Sequence, residues 1–150
     1  MKRASRTLVL AILVLAAPAL AEEYLFGVEG TYLTQVKPRG GAVLTVRGYR
    51  DLPVSLRLRY RLYDPADGGT QLYLDALYDD RRYPTGFYSG LGLGYAFGRG
   101  TVVVGAVMGV RYSPFQLPGE VYLEWTPSFP DLTDYDLVVG LNLRLFARGL

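Results

Sequence analysis

Three arginines stand at alternate positions of one segment, Arg57, Arg59 and Arg61. A guanidinium group binds phosphates and carboxylates through charge-assisted hydrogen bonds, so this arginine ladder is suited to two kinds of chemistry. It could bind an anionic ligand, or it could form ion pairs with acidic residues of the same chain. Glu120 and Glu124 are also spaced for a single strand face, which makes internal ion pairing a direct alternative to ligand binding.

A wider set of charged and polar residues shares this alternate spacing. Side chains at every second position of a strand lie on one face, so we expect the set to form a single polar face. Like charges cannot be buried without partners, and we therefore expect the acids to neutralise the arginines. An anion-binding interior or an exposed basic stripe is the functional alternative. The predicted interior charge network contains Glu29, Arg57, Arg59, Arg61, Asp75, Arg111, Glu120, Glu124, Asp136 and Arg144. Arg47 and Asn142 are expected on the same polar face.

The composition argues against catalysis. The chain has no histidine, which excludes a Ser-His-Asp site and removes the commonest zinc and copper ligand. Glu120 and Glu124 would lie roughly 13 Å apart along a strand, beyond the ~5–9.5 Å of a glycosidase pair. The glycines at 90, 92 and 94 lack the helix of a nucleotide-binding loop, and segment 64–69 lacks the ligand spacing of a calcium loop. We predict no catalytic residue, metal or cofactor.

The elements that would position these residues are β-strands. From Val54 to Tyr63, apolar and polar side chains alternate at almost every step, a period that indicates a strand rather than a helix. Similar runs recur along the chain, separated by glycine, proline and aspartate residues that favour turns. The eight predicted strands are Tyr24–Val36, Ala42–Tyr49, Val54–Tyr63, Thr70–Tyr78, Phe87–Phe97, Thr101–Tyr112, Glu120–Thr126 and Tyr135–Phe146.

The connections between these strands are too short to contain a helix. Short connections force neighbouring strands to pair antiparallel, and an even number of strands can close with no exposed edge. The predicted breaks are 37–41, 51–53, 64–69, 80–84, 98–100, 113–119 and 127–131. The sequence therefore predicts an all-β fold, an eight-stranded antiparallel up-and-down (transmembrane) β-barrel.

Aromatic residues indicate which face of the barrel is outside. They are expected to form two girdles that bracket an aliphatic belt, as at the two interfaces of a membrane. One rim would contain Tyr24, Tyr49, Tyr78, Phe87, Tyr112 and Tyr122, and the other Tyr32, Tyr60, Tyr95, Phe97, Trp125 and Tyr135. The alternative is a soluble calycin-like barrel that holds its leucines inside around an apolar ligand.

Inward placement of the polar face predicts a charged plug rather than a pore. An eight-stranded barrel is just wide enough for side chains to fill. Five glycines fall on the same polar face, and we expect them to leave room for the long arginine side chains. These glycines are Gly90, Gly92, Gly94, Gly105 and Gly109.

The N-terminal residues resemble a cleaved secretory signal peptide. Lys2, Arg3 and Arg6 precede an apolar stretch, and Ala19-Leu20-Ala21 matches a small-x-small cleavage site. We expect residues 1–21 to be the signal peptide and 22–150 the barrel domain. Cleavage would remove three of the 16 basic residues and none of the 14 acidic ones, leaving 13 minus 14, or a net charge of −1. A balanced charge does not predict nucleic-acid binding.

The whole predicted barrel resembles a known family. The signal peptide, the eight strands, the segment Tyr88-Ser-Gly-Leu-Gly-Leu-Gly-Tyr95 and the apolar-alternating last strand are similar to the small outer-membrane β-barrel proteins of the OmpA/OmpX-like group. This resemblance implies residence in the outer membrane, contact with its lipid, and insertion by the barrel-assembly machinery. It implies a non-catalytic structural or interaction role in the cell envelope, with an unidentified protein partner. A soluble periplasmic barrel that binds an apolar ligand is the alternative.

Overall fold

The strands observed follow the alternating segments of the sequence closely. The computed structural model describes residues 23–33, 39–48, 53–63, 69–80, 82–114, 118–129 and 135–147. The predicted signal peptide at 1–21, Tyr49, and part of every predicted break except 98–100 lie outside them. The described residues form the strands β1 (Glu23–Leu33), β2 (Arg39–Arg47), β3 (Val54–Arg61), β4 (Gln71–Asp79), β5 (Thr85–Ala96), β6 (Thr101–Tyr112), β7 (Gly119–Phe129) and β8 (Tyr135–Ala147).

These eight strands form a closed barrel in which each pairs antiparallel with its neighbour in sequence. Pairing of β1 with β8 closes the ring, so neither terminal strand has an open edge. The described residues contain strands and no helix. The predicted fold class, an all-β eight-stranded antiparallel barrel, is confirmed.

Two predicted breaks are partly wrong. The segment 127–131 was expected to be a turn because proline cannot donate to a ladder, yet β7 continues through Pro127 to Phe129. The register between β6 and β7 skips Pro127, which pairs with Tyr135 of β8 instead. At the start of β2, Gly40 and Gly41 lie in the strand. A Cβ on Gly41 would be 2.8 Å from the Tyr60 carbonyl oxygen, so glycine permits this close pairing.

Smaller differences affect the other strand ends. β6 has the predicted bounds, whereas β3 ends two residues early and β5 begins two residues early. β1, β4 and β8 differ from the prediction by one residue at the described ends. Differences of one or two residues at a strand end do not change which face of the barrel wall each side chain lies on, because that face depends only on the alternation.

The barrel has two ends, which are named here by the direction of its first and last strands. We call the end where β1 begins and β8 ends the lower end, and the opposite end the upper end. Connections at the lower end are 48–53, 80–84 and 113–118, and those at the upper end are 34–38, 62–70, 97–100 and 130–134. Both ends therefore carry short connections, and most of the chain lies in the barrel wall.

Candidate functional site: the charged interior

The interior of the barrel is charged and its exterior is apolar. In β3 the exposed and buried residues alternate without exception, and the buried ones are Ser55, Arg57, Arg59 and Arg61. Aliphatic residues of the same strand, including Leu56 and Leu58, are about two-fifths exposed. This is the reverse of a water-soluble barrel, in which the apolar face fills the interior.

Arg57 forms a strut across the interior. Its Nε donates to Asp75 Oδ2 of the adjacent strand β4 at 2.9 Å. Its Nη2 donates to Glu124 Oε2 at 3.1 Å, and Nη1 also contacts that carboxylate. Because Glu124 lies on β7, four strands away from β3 in a ring of eight, this pair joins opposite walls. Arg59 approaches the same acids, with Nη2 2.8 Å from Asp75 Oδ1 and Nη1 3.7 Å from Glu124 Oε2.

Arg61 completes the ladder toward the upper end. Its Nε donates to Glu29 Oε1 at 2.6 Å, and its Nη1 donates to Asp136 Oδ2 at 3.1 Å. The Tyr63 hydroxyl also donates to Asp136 Oδ2, at 2.7 Å. Each ladder arginine thus contacts two carboxylates, which distributes its positive charge among three or more strands.

A second group of ion pairs lies at the lower end. Arg47 contacts Glu23 Oε2 at 2.9 Å, Glu120 Oε2 at 2.5 Å and Asp79 Oδ2 at 3.6 Å. Arg111 donates from Nε to Asp79 Oδ1 at 2.7 Å. The charges of this group alternate in sign around the barrel, so they stabilise one another rather than binding a free anion.

The structure places every residue of the predicted interior network on the inward face. Arg144 is the most accessible, with its side chain 26% exposed, and it pairs with Glu23. Asn142 donates to Glu120 Oε1 at 2.8 Å. The sequence analysis did not include Glu23 or Asp79, although Asp79 continues the alternation of Asp75 and could have been found from it.

Tyrosines form a further part of the interior that the sequence analysis missed. Tyr122 was assigned to the lower aromatic rim, but it is only 4% exposed and donates to Glu29 Oε2 at 3.2 Å. Its even position, between Glu120 and Glu124, points it inward. Tyr88 donates to Glu124, and the guanidinium of Arg59 lies 5.1 Å from the centre of the Tyr73 ring. Such rings exclude water from the ion pairs, and the hydroxyl groups of Tyr88 and Tyr122 donate hydrogen bonds to carboxylates.

Interior glycines are the direct cross-strand partners of these tyrosines. The pairs are Tyr73 with Gly94, Tyr88 with Gly109 and Tyr122 with Gly140. A Cβ on Gly94 or on Gly109 would lie 2.5 or 2.6 Å from the facing ring, closer than side-chain atoms can approach. The five predicted glycines were expected to make room for arginines. Gly94 and Gly109 accommodate tyrosine rings instead, whereas a Cβ on Gly92 would meet Asp75 and lie 3.6 Å from Arg59 Nη2.

A Gly140→Ala substitution is expected to destabilise the barrel by about 1–3 kcal/mol, the usual cost of overpacking. The added Cβ would overlap the Tyr122 ring, which cannot move without giving up its bond to Glu29. Urea unfolding of the refolded protein measures the effect. Gly40→Ala is the matched control because its nearest neighbour would be 4.0 Å away. Equal unfolding midpoints for the two variants would contradict this packing explanation.

The outer face carries the predicted aromatic girdles. Tyr24, Tyr60, Tyr78, Tyr95, Phe97, Tyr112, Trp125 and Tyr135 all lie on outward positions, whereas the side chain of Tyr32 lies outside the described part of the structure. Tyr78 and Tyr112 are at the lower end and are more than half exposed. At the upper end, Trp125 contacts Tyr135 edge to face, with ring centres 6.2 Å apart.

An exposed ion pair lies outside the strands, in the lower connection between β4 and β5. Arg82 donates from Nε to Asp80 Oδ1 at 2.9 Å, and its Nη2 lies 2.5 Å from Oδ2. These hydrogen bonds favour the ionised carboxylate and lower the pKa of Asp80 to about 2.

An Arg82→Ala variant is therefore expected to raise the pKa of Asp80 toward the ordinary value of about 3.9. Because the folded-state pKa is lowered, the stabilisation from this pair is complete above pH ~4 and is lost as the pH falls toward 2. Carboxyl-detected NMR titration of both proteins measures the change. Since the Arg82 side chain is 79% exposed, this stabilisation is small, and the unfolding midpoint at neutral pH should fall only slightly in the variant. An unaltered Asp80 titration in the variant would refute the assignment.

The interior carboxylates contact arginines. In the described part of the chain, no group of three or more acidic, histidine or cysteine residues could hold a metal ion. Glu29, Asp75, Asp79, Glu120 and Glu124 each contact at least one arginine. A carboxylate held in this way is stabilised as an ion-pair partner rather than as a general base.

Fold and interior together define a closed eight-stranded antiparallel β-barrel with a charged core and an apolar exterior. The chain matches no protein-family model, and no curated protein matches it. No helix in the described residues is long and apolar enough to cross a membrane.

Proposed function

We propose that this protein is a non-catalytic integral outer-membrane β-barrel with a structural or interaction role in the cell envelope. One observation carries the proposal. In the described strands, the outward positions carry mainly aliphatic and aromatic side chains, although Ser89 of β5 is polar, whereas the described arginine and carboxylate side chains of the strands lie inside. A lipid bilayer is the solvent that matches such an exterior.

The size of the apolar exterior supports this proposal. Exposed residues such as Leu91, Leu93 and Val102, each more than half exposed, continue around the barrel on every strand. Soluble monomers rarely expose apolar patches larger than a few hundred Å². Removing a leucine or phenylalanine side chain from water is worth about 1.5–3 kcal/mol, so contact with lipid would stabilise the barrel greatly.

Strand length and aromatic placement also fit a bilayer. β3 has 8 residues and β8 has 13, a range that includes the ~9–11 residues of a tilted membrane-crossing strand. Aromatic side chains at both ends, represented by Tyr78 below and Trp125 above, would lie at the headgroup level. Their positions predict that the aliphatic belt between them lies within the hydrocarbon region.

The outer membrane is proposed as the location because closed antiparallel barrels with an even strand number are typical of it. The resemblance to the OmpA/OmpX-like group and the signal-peptide pattern at 1–21 lead to the same proposal. On this account, the chain is exported, inserted by the barrel-assembly machinery and surrounded by outer-membrane lipid. The proposed role is structural or interactive within the envelope, with an unidentified protein partner.

The filled interior favours a sealed barrel over a channel. Cross-barrel pairs such as Arg57 with Glu124 occupy the axis where a pore would run. The lower half contains a cavity of only about 10 Å³, near the minimum for one water molecule. Interior ion pairs of this kind lie where the apolar ligand of a calycin-like barrel would bind. We expect no conductance when the purified protein is added to planar bilayers.

Membrane fractionation tests the proposed location. The full chain is expressed in a Gram-negative-type host, and carbonate-washed outer membranes are compared with the soluble periplasm, with a soluble periplasmic protein as the control. We expect carbonate-resistant protein whose gel migration changes on heating, as a folded barrel resists detergent until heated. Recovery in the soluble periplasm would reject the proposal and favour the soluble alternative.

A further inference from the structure

The lower half of the interior contains a small cavity between two groups of ion pairs. It has a volume of about 10 Å³, and its lining includes Thr45, Arg47, Ser55 and Asn142. All four of these residues are at least 95% buried. Four of their polar atoms have no hydrogen-bond partner among the described residues: Thr45 Oγ1, Arg47 Nε, Ser55 Oγ and Asn142 Oδ1.

Such unpartnered atoms are unusual in a closed interior. A buried polar group left without a hydrogen bond costs about 1–3 kcal/mol, and most such groups in native proteins have a partner. Three of the four come from one part of the wall, since Arg47 pairs directly with Ser55 between β2 and β3, and Thr45 lies two residues from Arg47 on the same face. Asn142 reaches the cavity from β8.

We infer that this cavity binds one structural water molecule, held by Thr45, Arg47, Ser55 and Asn142. The donor and acceptor set matches water. Arg47 Nε can only donate, Asn142 Oδ1 can only accept, and the two hydroxyl groups can do either. A water molecule can therefore accept from Arg47, donate to Asn142 and bridge both hydroxyls, making the two to four bonds typical of a buried water.

Size and charge argue against an ion at this position. The volume is close to the minimum for one water molecule. The lining contains arginines 47, 57 and 111 together with the carboxylates of Asp79 and Glu120, so both signs of charge face the cavity. A chloride ion would approach carboxylates, and a sodium ion would approach guanidinium groups. A neutral water molecule is repelled by neither the carboxylates nor the guanidinium groups.

This inference makes the water part of the plug rather than a sign of a pore. It does not depend on what surrounds the barrel, because all four ligands face inward. The water would connect strands β2 and β3 with β8 across the interior. The four atoms form no hydrogen bonds to protein atoms of the described residues that could make this connection. The water would thereby provide a hydrogen-bond partner for Arg47 Nε, which the ion pairs of Arg47 do not use, and for the other three unpartnered atoms.

The test uses three single variants of the full-length protein, refolded in detergent micelles. Thr45→Val and Ser55→Ala each remove one hydroxyl from the proposed site. Thr31→Val is the matched control, because Thr31 is 1% exposed and also has an unpartnered Oγ1, but it does not line this cavity. Urea midpoints are measured for all three, and water-to-protein ROESY cross-peaks are recorded on 15N-labelled protein.

If water is bound, Thr45→Val and Ser55→Ala lower the urea midpoint, because each removes a hydrogen bond to it. The wild type then gives a direct water cross-peak to the Arg47 Nε proton, which Thr31→Val keeps and the other two variants weaken or lose. If the cavity is dry, removing an unsatisfied hydroxyl raises the midpoint and no direct cross-peak exists. That result would overturn the inference, as would a shift of the Arg47 Nε signal on chloride titration, which would indicate an anion.

Discussion

A Glu124→Leu variant is expected to lower the free energy of unfolding by about 3–5 kcal/mol, the cost of removing one partner from a buried ion pair. Glu124 is 1% exposed and receives hydrogen bonds from Arg57 and Tyr88. Without Glu124, the Arg57 guanidinium has only Asp75 as a carboxylate partner. Asp75 also pairs with Arg59, so one carboxylate would serve two arginines. Urea unfolding in lipid vesicles, followed by heat-modifiable gel migration, measures the loss.

Three further variants, which are Asp80→Ala, Arg57→Leu and the double variant Arg57→Leu/Glu124→Leu, separate the ion pair from other effects of the substitution. Asp80→Ala removes an acid of the exposed pair with Arg82 and should leave the midpoint unchanged, because exposed ion pairs contribute little. The double variant Arg57→Leu/Glu124→Leu removes both charges together and should recover much of the loss. A double variant as unstable as the sum of its single variants would contradict the cross-barrel strut.

Leu91→Arg has the second large expected effect, a destabilisation of about 2–4 kcal/mol in lipid vesicles. Leu91 is 64% exposed on the outward face of β5. It lies four residues from Phe87 at the lower end and four from Tyr95 at the upper end, which places it near the middle of the aliphatic belt. An arginine there would lie in hydrocarbon, whereas in a soluble barrel it would lie in water.

Val54→Arg is the matched control for this experiment. Val54 is also exposed, but it begins β3 and pairs with Tyr78 at the lower aromatic rim. In a membrane, an arginine at the interface costs only about 0–1 kcal/mol, so the two variants should differ clearly. If both variants change stability by less than ~0.5 kcal/mol, as exposed substitutions on soluble proteins usually do, the lipid-facing belt is excluded.

The alternation of side chains made the fold predictable. In the segment that became β3, every second residue from Leu56 is apolar, and the residues between are arginines. Because a strand has a period of two, this pattern assigns each side chain to a face before any pairing is known. Short connections then allowed only antiparallel neighbours, and the number of strands allowed closure.

Pairing across the interior could not be derived in the same way. The contact of Arg57 with Asp75 joins adjacent strands and follows from their register. Its contact with Glu124 depends on the diameter and stagger of the closed barrel, which alternation does not determine. Glu120 was a candidate partner of the arginine ladder but contacts Arg47 at the lower end, because its position along the axis is set by that stagger.

The wrong assignments of Tyr122 and of the turn at 127–131 came from the types of single residues. Tyr122 was placed on the aromatic rim because it lies near a strand end, whereas its position between two inward glutamates decides its face. Proline at 127 suggested a turn, but the ladder to β6 skips this residue and the strand continues. In both cases, the local residue type was a weaker signal than the strand alternation and the neighbouring strands.

The most direct test of the lipid-facing exterior uses Trp125, the single tryptophan of the chain, which is 36% exposed on the outward face. The protein is refolded into vesicles that contain brominated lipids, and fluorescence quenching is compared with that by aqueous iodide. We predict strong quenching by the brominated lipids and little by iodide. Efficient quenching by iodide, with no effect of the brominated lipids, would show that the apolar face does not contact the bilayer and would contradict the account.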